Sequence, residues 1–113
     1  MQEPLGQMRH GIMIANRRNG NVEGVYVGRP SVLGNPYTVG KDGTRKEVVD
    51  KYRHWLRQQY KKDGEVKNLL RKLARQVIER RTLNLVCWCA PHLCHAEVIR
   101  DALVGIIKQG AGK

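Results

Sequence analysis

Apolar and polar positions along the chain predict three strands. A short apolar stretch at residues 11–15, followed by a turn-forming cluster at 16–21, predicts the first. Residues 22–28 predict the second, because Val25, Tyr26 and Val27 favour a pleated surface. Residues 83–89 form a nearly continuous apolar run, which is typical of a strand covered on both faces in an α/β sheet. We therefore expect this third strand at the centre of the sheet.

Longer stretches with a three-to-four residue spacing predict three helices. Thr44 and Glu47 form a capping box, so a first helix is expected to begin at Thr44. A second amphipathic helix is expected over residues 65–80, and a last one over residues 92–107. The second helix is predicted to bury one stripe of side chains: Val66, Leu69, Leu70, Leu73, Val77 and Ile78.

The element order ββααβα predicts a small α/β domain with a short, mostly parallel sheet and three helices in two or three layers, a Rossmann-like arrangement. With 113 residues, one domain at 11–108 is expected, flanked by a flexible arm at 1–10 and a flexible tail at 109–113. No apolar run reaches the roughly 20 residues of a membrane span, and the polar start lacks a signal-peptide core. We expect a cytoplasmic protein.

The charge balance adds a class of partner. The chain carries 21 Lys and Arg against 10 Asp and Glu, a net charge of +11. Such an excess favours anionic partners, either nucleic acid or nucleotide phosphate. The alternative is solubilising charge on exposed helical faces.

The loop at residues 28–36 is the first candidate site. Its glycines, Gly28 and Gly34, and its two prolines exclude regular structure yet restrict the backbone, so we expect a defined shape. Arg29 offers a fork for phosphate, while Ser31 and Asn35 offer neutral hydrogen bonds to a ribose or base. The alternative is an ordinary turn in which the polar side chains cap local backbone groups.

The second candidate site is the cysteine-rich segment 87–95. Cys87, Cys89, Cys94 and His95 match a Cys₃His zinc set in composition, but their spacing is not the usual pair of C-x₂-C knuckles. Unliganded buried cysteines are favoured, so we predict no metal and no cofactor. Three crowded cysteines are also a poor disulfide framework, which fits a reducing compartment.

Cys94 and His95 are predicted to lie in the first turn of the last helix, where backbone donors attract anions and lower a thiol pKa. They are the candidate catalytic pair if the protein is an enzyme. His95 could instead be a hydrogen-bonded core histidine. Ligands of open α/β sheets bind outside the carboxyl ends of the strands, so we expect this turn and the 28–36 loop to face one site.

The motifs Gly-Arg-x-Ser-x-x-Gly-Asn-Pro, Gly-x-Asp-Gly-Thr-Arg and Cys-Trp-Cys-x-Pro-x-x-Cys-His occur in that order. Over residues 26–103 the chain thereby resembles a small domain of unknown function common in phages and bacteria. The resemblance implies a set of signature residues but no reaction: Arg29, Ser31, Asn35, Cys87, Cys89, Cys94 and His95. The Cys-x₄-Cys-His layout before a helix is also similar to another uncharacterised α/β family. The strongly basic segment at 57–81 departs from the pattern of the first family.

Three functions follow as expectations. The leading one is a phage-encoded domain that binds a nucleotide or nucleoside phosphate and either holds it or acts on it. The second is a nucleic-acid-binding protein that uses its basic helices. The third is a phage-borne inhibitor or ligand sponge that works by binding alone.

Overall fold

Three parallel strands carry the sheet of this protein. The computed structural model describes residues 8–9, 11–16, 24–87 and 95–109. The elements in chain order are β1 (Met8–Arg9), β2 (Ile12–Asn16), β3 (Val25–Tyr26), α1 (Arg45–Lys61), α2 (Glu65–Arg80), β4 (Leu83–Cys87) and α3 (His95–Lys108).

The sheet has the order β1-β2-β4-β3. β4 pairs in parallel with β2 on one side and with β3 on the other, so the prediction of a central strand is confirmed. β1 pairs antiparallel with β2 through Met8 opposite Met13 and Arg9 opposite Ile12. This short strand lies within the segment 1–10 that was predicted as an arm. The parallel strands and the three helices follow the predicted order ββααβα, and the α/β fold class is confirmed.

α1 begins where the capping box predicts. Thr44 is the N-cap, its hydroxyl accepts the Glu47 backbone N–H, and the Glu47 carboxylate accepts the Thr44 backbone N–H at 2.8 Å. The hydrogen bond that the Thr44 backbone N–H donates to the Glu47 carboxylate lowers the pKa of this exposed group, and a side-chain hydrogen bond with Thr44 lowers it further. The helix thus satisfies two of its first backbone donors through its own side chains.

α2 has the predicted bounds, but one predicted core position is wrong. Ile78 is 38% exposed, whereas Ala74 is fully buried. Ile78 lies about 100° around the helix from Val77, at the solvent edge of the buried stripe. Ala74 lies one turn from both Leu70 and Val77, and it takes the buried place on their stripe.

The three helices pack against one another and against the sheet. α1, α2 and α3 contact one another, and α2 and α3 also contact β4. Alternate strand residues point into this core: Ile12, Ile14, Leu83, Leu85 and Cys87. Val86, on the opposite face of β4, is buried as well, so the central strand is covered on both sides.

α3 was predicted to begin at His92; it is described from His95 onward, and residues 88–94 lie outside the described residues. The predicted tail at 109–113 is described only at Gln109. Within the described part of the chain, no helix combines the length and the apolar character that a bilayer crossing requires.

Candidate functional site

The loop at residues 28–36 leaves the sheet at the carboxyl end of β3. Val27 still belongs to the ladder, because its N–H donates to the Val86 carbonyl at 2.9 Å. Two turns follow: the Ser31 N–H donates to the Gly28 carbonyl and the Gly34 N–H donates to the Ser31 carbonyl, both at 2.9 Å. The predicted loop is therefore a hydrogen-bonded structure with a defined path.

Both glycines of the loop lie where its chain folds closely on itself. A Cβ at Gly28 would approach the Tyr26 hydroxyl oxygen to 2.5 Å, and one at Gly34 would approach the Arg29 Cα to 3.1 Å. The Tyr26 hydroxyl in turn donates to the Arg29 carbonyl at 3.0 Å, across a loop whose Arg29–Pro30 peptide bond is cis. The glycines thus serve the shape of the loop by leaving room for its neighbours.

His95 joins the beginning of this loop to α3. Its ring Nε2 lies 2.6 Å from the Val27 carbonyl oxygen, and the side chain is 7% exposed. A carbonyl only accepts hydrogen bonds, so Nε2 carries the proton and donates it. The structure therefore brings His95, at the start of α3, to the carboxyl end of β3. We call this region, formed by residues 28–36 and His95, the loop–helix site.

Tyr52 fixes the middle of the loop to α1. Its fully buried hydroxyl donates to the Leu33 carbonyl at 2.7 Å, and its ring meets the His95 ring edge-on with centroids 5.1 Å apart. Tyr52 was not among the candidate site residues predicted from the sequence. The available signal was its chemistry, because a buried tyrosine hydroxyl needs a hydrogen-bond partner.

The three polar side chains of the loop have different surroundings. Arg29 is exposed, and its guanidinium donates to the Thr38 hydroxyl at 3.2 Å. Asn35 is buried and its Oδ1 accepts the Tyr37 backbone N–H at 2.9 Å, which is the local capping role left open above. The Ser31 hydroxyl oxygen is buried and has no hydrogen-bond partner among the described residues. Ser31 is thus the loop side chain with a buried polar atom that no described residue satisfies.

The cysteine-rich segment is only partly described. Cys87, the last residue of β4, is fully buried within the apolar core. Cys89 and Cys94 lie outside the described residues, and with them the conditional zinc set Cys87, Cys89, Cys94 and His95 and the catalytic pair Cys94 and His95. The described member of that pair, His95, has the surroundings of a hydrogen-bonded core histidine.

The positive charge is concentrated on the helices. Among the described residues, ion pairs join helix cations to nearby carboxylates: Lys46 with Asp50, Arg53 with Asp101 and Lys67 with Asp63. Towards the end of α2, four exposed cations make no ion pair with any carboxylate that the structure describes: Lys72, Arg75, Arg80 and Arg81. Glu79 is the carboxylate of this stretch, so the four cations leave a net positive field there.

Comparison with known families gives one match. A family model described as a domain of unknown function (DUF4326) matches residues 13–105. This match supports, at the level of a domain of unknown function, the resemblance drawn from the motifs. Searches of curated proteins and of solved structures found no significant match.

Proposed function

The chain belongs to the DUF4326 family of domains of unknown function, and we propose that it binds a nucleotide or nucleoside phosphate at the loop–helix site. The observation that carries this proposal is the buried Ser31 hydroxyl without a partner among the described residues. A buried hydroxyl without a hydrogen bond costs roughly 1–3 kcal/mol, and a ligand group that reached it as the loop adjusted would recover that cost.

The anionic part of the ligand is assigned to Arg29. This side chain is exposed on the same turn as Ser31, and its single described hydrogen bond, to Thr38, uses one of the five N–H donors of a guanidinium. The remaining donors form a fork that suits a phosphate. The bond to Thr38 also holds the arginine in place, which reduces the entropy lost when an anion binds.

The surroundings of the loop favour the same chemistry. Ligands of parallel sheets bind outside the carboxyl ends of the strands, and the loop leaves the sheet at that edge. α3 begins there with His95, and the first turn of a 14-residue helix carries a partial positive charge. In this proposal Arg29 and the start of α3 attract the phosphate, Ser31 bonds a ribose or base, and the Asn35 amide N–H groups supply the remaining polar contact.

The test is a calorimetric titration of the protein with nucleoside mono-, di- and triphosphates and with inorganic phosphate, at one fixed ionic strength. We expect one nucleotide per chain and an affinity at least about tenfold lower for Arg29→Ala, since hydrogen bonds to charged groups contribute about 1.5–3 kcal/mol. The matched control is Arg80→Ala. It removes the same charge far from the loop. Val66, at the start of α2, lies beside the loop residue Val32, and Arg80 lies about 21 Å further along the helix.

Ser31→Ala adds a readout that a structural role for Ser31 would not produce. If the hydroxyl waits for a ligand, removing it weakens nucleotide binding about three- to tenfold while the stability of the free protein stays equal or rises. The proposal fails if the wild-type protein binds no nucleotide with a dissociation constant below the millimolar range. It also fails if Arg29→Ala and Arg80→Ala weaken binding equally, because the effect would then be one of net charge.

The unneutralised cations at the end of α2 favour a second candidate function, nucleic-acid binding. This function needs no pocket and predicts that the logarithm of the affinity for a labelled oligonucleotide falls linearly with the logarithm of salt concentration. Lys72→Glu combined with Arg75→Glu should make the slope of this salt dependence shallower by an amount that corresponds to about two phosphate contacts or more. Arg29→Ala should leave the slope unchanged. A flat salt response measured by fluorescence anisotropy would remove this candidate.

A further inference from the structure

A groove between α1 and α3 shares no lining residue with the loop–helix site. It encloses about 350 Å³. Its floor is apolar and comes from all three helices: Leu56 from α1, Leu70 from α2, and Val98 and Ile106 from α3. These side chains are at most 5% exposed, so the floor is fixed by the core itself.

Gly105 keeps the groove open. It lies within α3 and lines the groove, and a Cβ built at this position would meet no atom within 4 Å. Glycine inside a helix is less stable than alanine by roughly 0.5–1 kcal/mol. The chain therefore keeps, at a cost in helix stability, a residue whose missing side chain leaves space over the apolar floor.

The rim of the groove is positively charged. Arg57 and Lys61 lie one helical turn apart on α1, both are exposed, and neither makes an ion pair with a carboxylate among the described residues. The third rim cation, Arg53, pairs with Asp101 of α3 at 3.4 Å. The rim thus carries two positive charges that its own carboxylate does not balance.

We propose that this groove binds a small amphipathic anion, meaning a molecule with an apolar acyl or aryl body and one carboxylate, sulfonate or phosphate group. The apolar body rests on Leu56, Val98 and Ile106, while the anionic group meets Arg57 and Lys61. The volume corresponds to about a dozen water molecules, which lies at the lower end of small-molecule pockets. The groove suits a protein or a nucleic acid less well. A stable protein partner would need a contact of about 800 Å² on each side, and base recognition would need polar groups on the floor of the groove.

The probe is 8-anilinonaphthalene-1-sulfonate, and its uncharged counterpart is N-phenyl-1-naphthylamine. The sulfonate should bind at one site per chain with a blue-shifted emission that saturates. Arg57→Ala combined with Lys61→Ala should lower its affinity about tenfold or more and leave the affinity for the uncharged amine unchanged within about twofold. Lys72→Ala combined with Arg75→Ala removes the same two charges from exposed positions of α2 outside the groove and is the control for net charge.

Gly105→Leu fills the groove and should abolish binding of both probes, while the far-ultraviolet circular dichroism stays that of the wild type. Gly105→Ala narrows the groove and should weaken binding with equal or higher thermal stability, which separates blockage from unfolding. Arg29→Ala should leave probe binding unchanged, so failure of the nucleotide proposal would not affect this one. The inference is overturned if the probe does not saturate, if Gly105→Leu binds like the wild type, or if Lys72→Ala combined with Arg75→Ala weakens sulfonate binding as much as the rim variant.

Discussion

Tyr52→Phe removes one hydrogen bond from the junction of the loop, α1 and α3 and keeps the aromatic ring. The bond is 2.7 Å long and buried, and its acceptor is the carbonyl of Leu33, a residue only 1% exposed. A carbonyl left without a donor in such a place costs its full desolvation, so we expect the free energy of unfolding to fall by about 1–3 kcal/mol. The ring contacts with Trp55 and His95 remain possible, so no cavity term is added.

Urea unfolding followed by tryptophan fluorescence measures this loss. At a slope of about 1–3 kcal/mol per molar, the midpoint should fall by on the order of 1 M with an unchanged slope. The matched control is Tyr37→Phe, because the Tyr37 hydroxyl makes no hydrogen bond to any described residue; its effect should stay within about 0.5 kcal/mol. If Tyr52→Phe costs no more than Tyr37→Phe, the loop is not held by this bond.

Further predictions test the capping box and two glycines. Thr44→Ala should destabilise the protein by about 1 kcal/mol in urea unfolding through loss of the N-cap. Because the pKa of Glu47 is lower in the folded than in the unfolded state, its ionised carboxylate stabilises the fold at pH values above the unfolded-state pKa. This stabilisation is lost as the pH falls through the folded-state pKa. Glu47→Gln should therefore make the free energy of unfolding less dependent on pH in the acidic range. Gly11→Ala should lower the free energy of unfolding by about 1–3 kcal/mol or more, because Gly11 has a φ of +82° and a Cβ there would collide with the Arg81 carbonyl. Gly105→Ala should raise it by about 0.5–1 kcal/mol, because Gly105 lies within a helix. The two variants should therefore shift the thermal unfolding temperature in opposite directions.

Local signals predicted most of the elements. The Thr44 capping box and the apolar spacing of α2 act over a few residues, and both give the observed helix bounds. The central position of β4 followed from its apolar run, because only a strand covered on both faces buries adjacent residues such as Leu85 and Val86. These features depend on interactions between residues that are close in sequence, so they can be predicted from a short stretch of the chain.

The remaining features depend on contacts between distant residues. β1 has two residues, too few for a periodic pattern, and exists through its pairing with β2. Ile78 was misplaced because periodicity fixes a stripe only to within one residue, while packing chose Ala74. The bond from His95 to Val27 spans 68 positions, and nothing local to either residue specifies it.

Those distant contacts matter for binding because they hold the loop before any ligand arrives. The carbonyl of Val27, just before the loop, is bound by His95 of α3, and that of Leu33 within it by Tyr52 of α1, so two backbone groups in this short stretch are tied to different helices. Ordering a free loop costs about 1–2 kcal/mol per residue, and a loop held in this way has already lost that freedom on folding. Tyr52→Phe, which removes no group assigned to the ligand, should therefore weaken nucleotide binding as well as stability. A variant that lost stability but bound nucleotide like the wild type would mean that the helix contacts hold the fold and not the shape of the site.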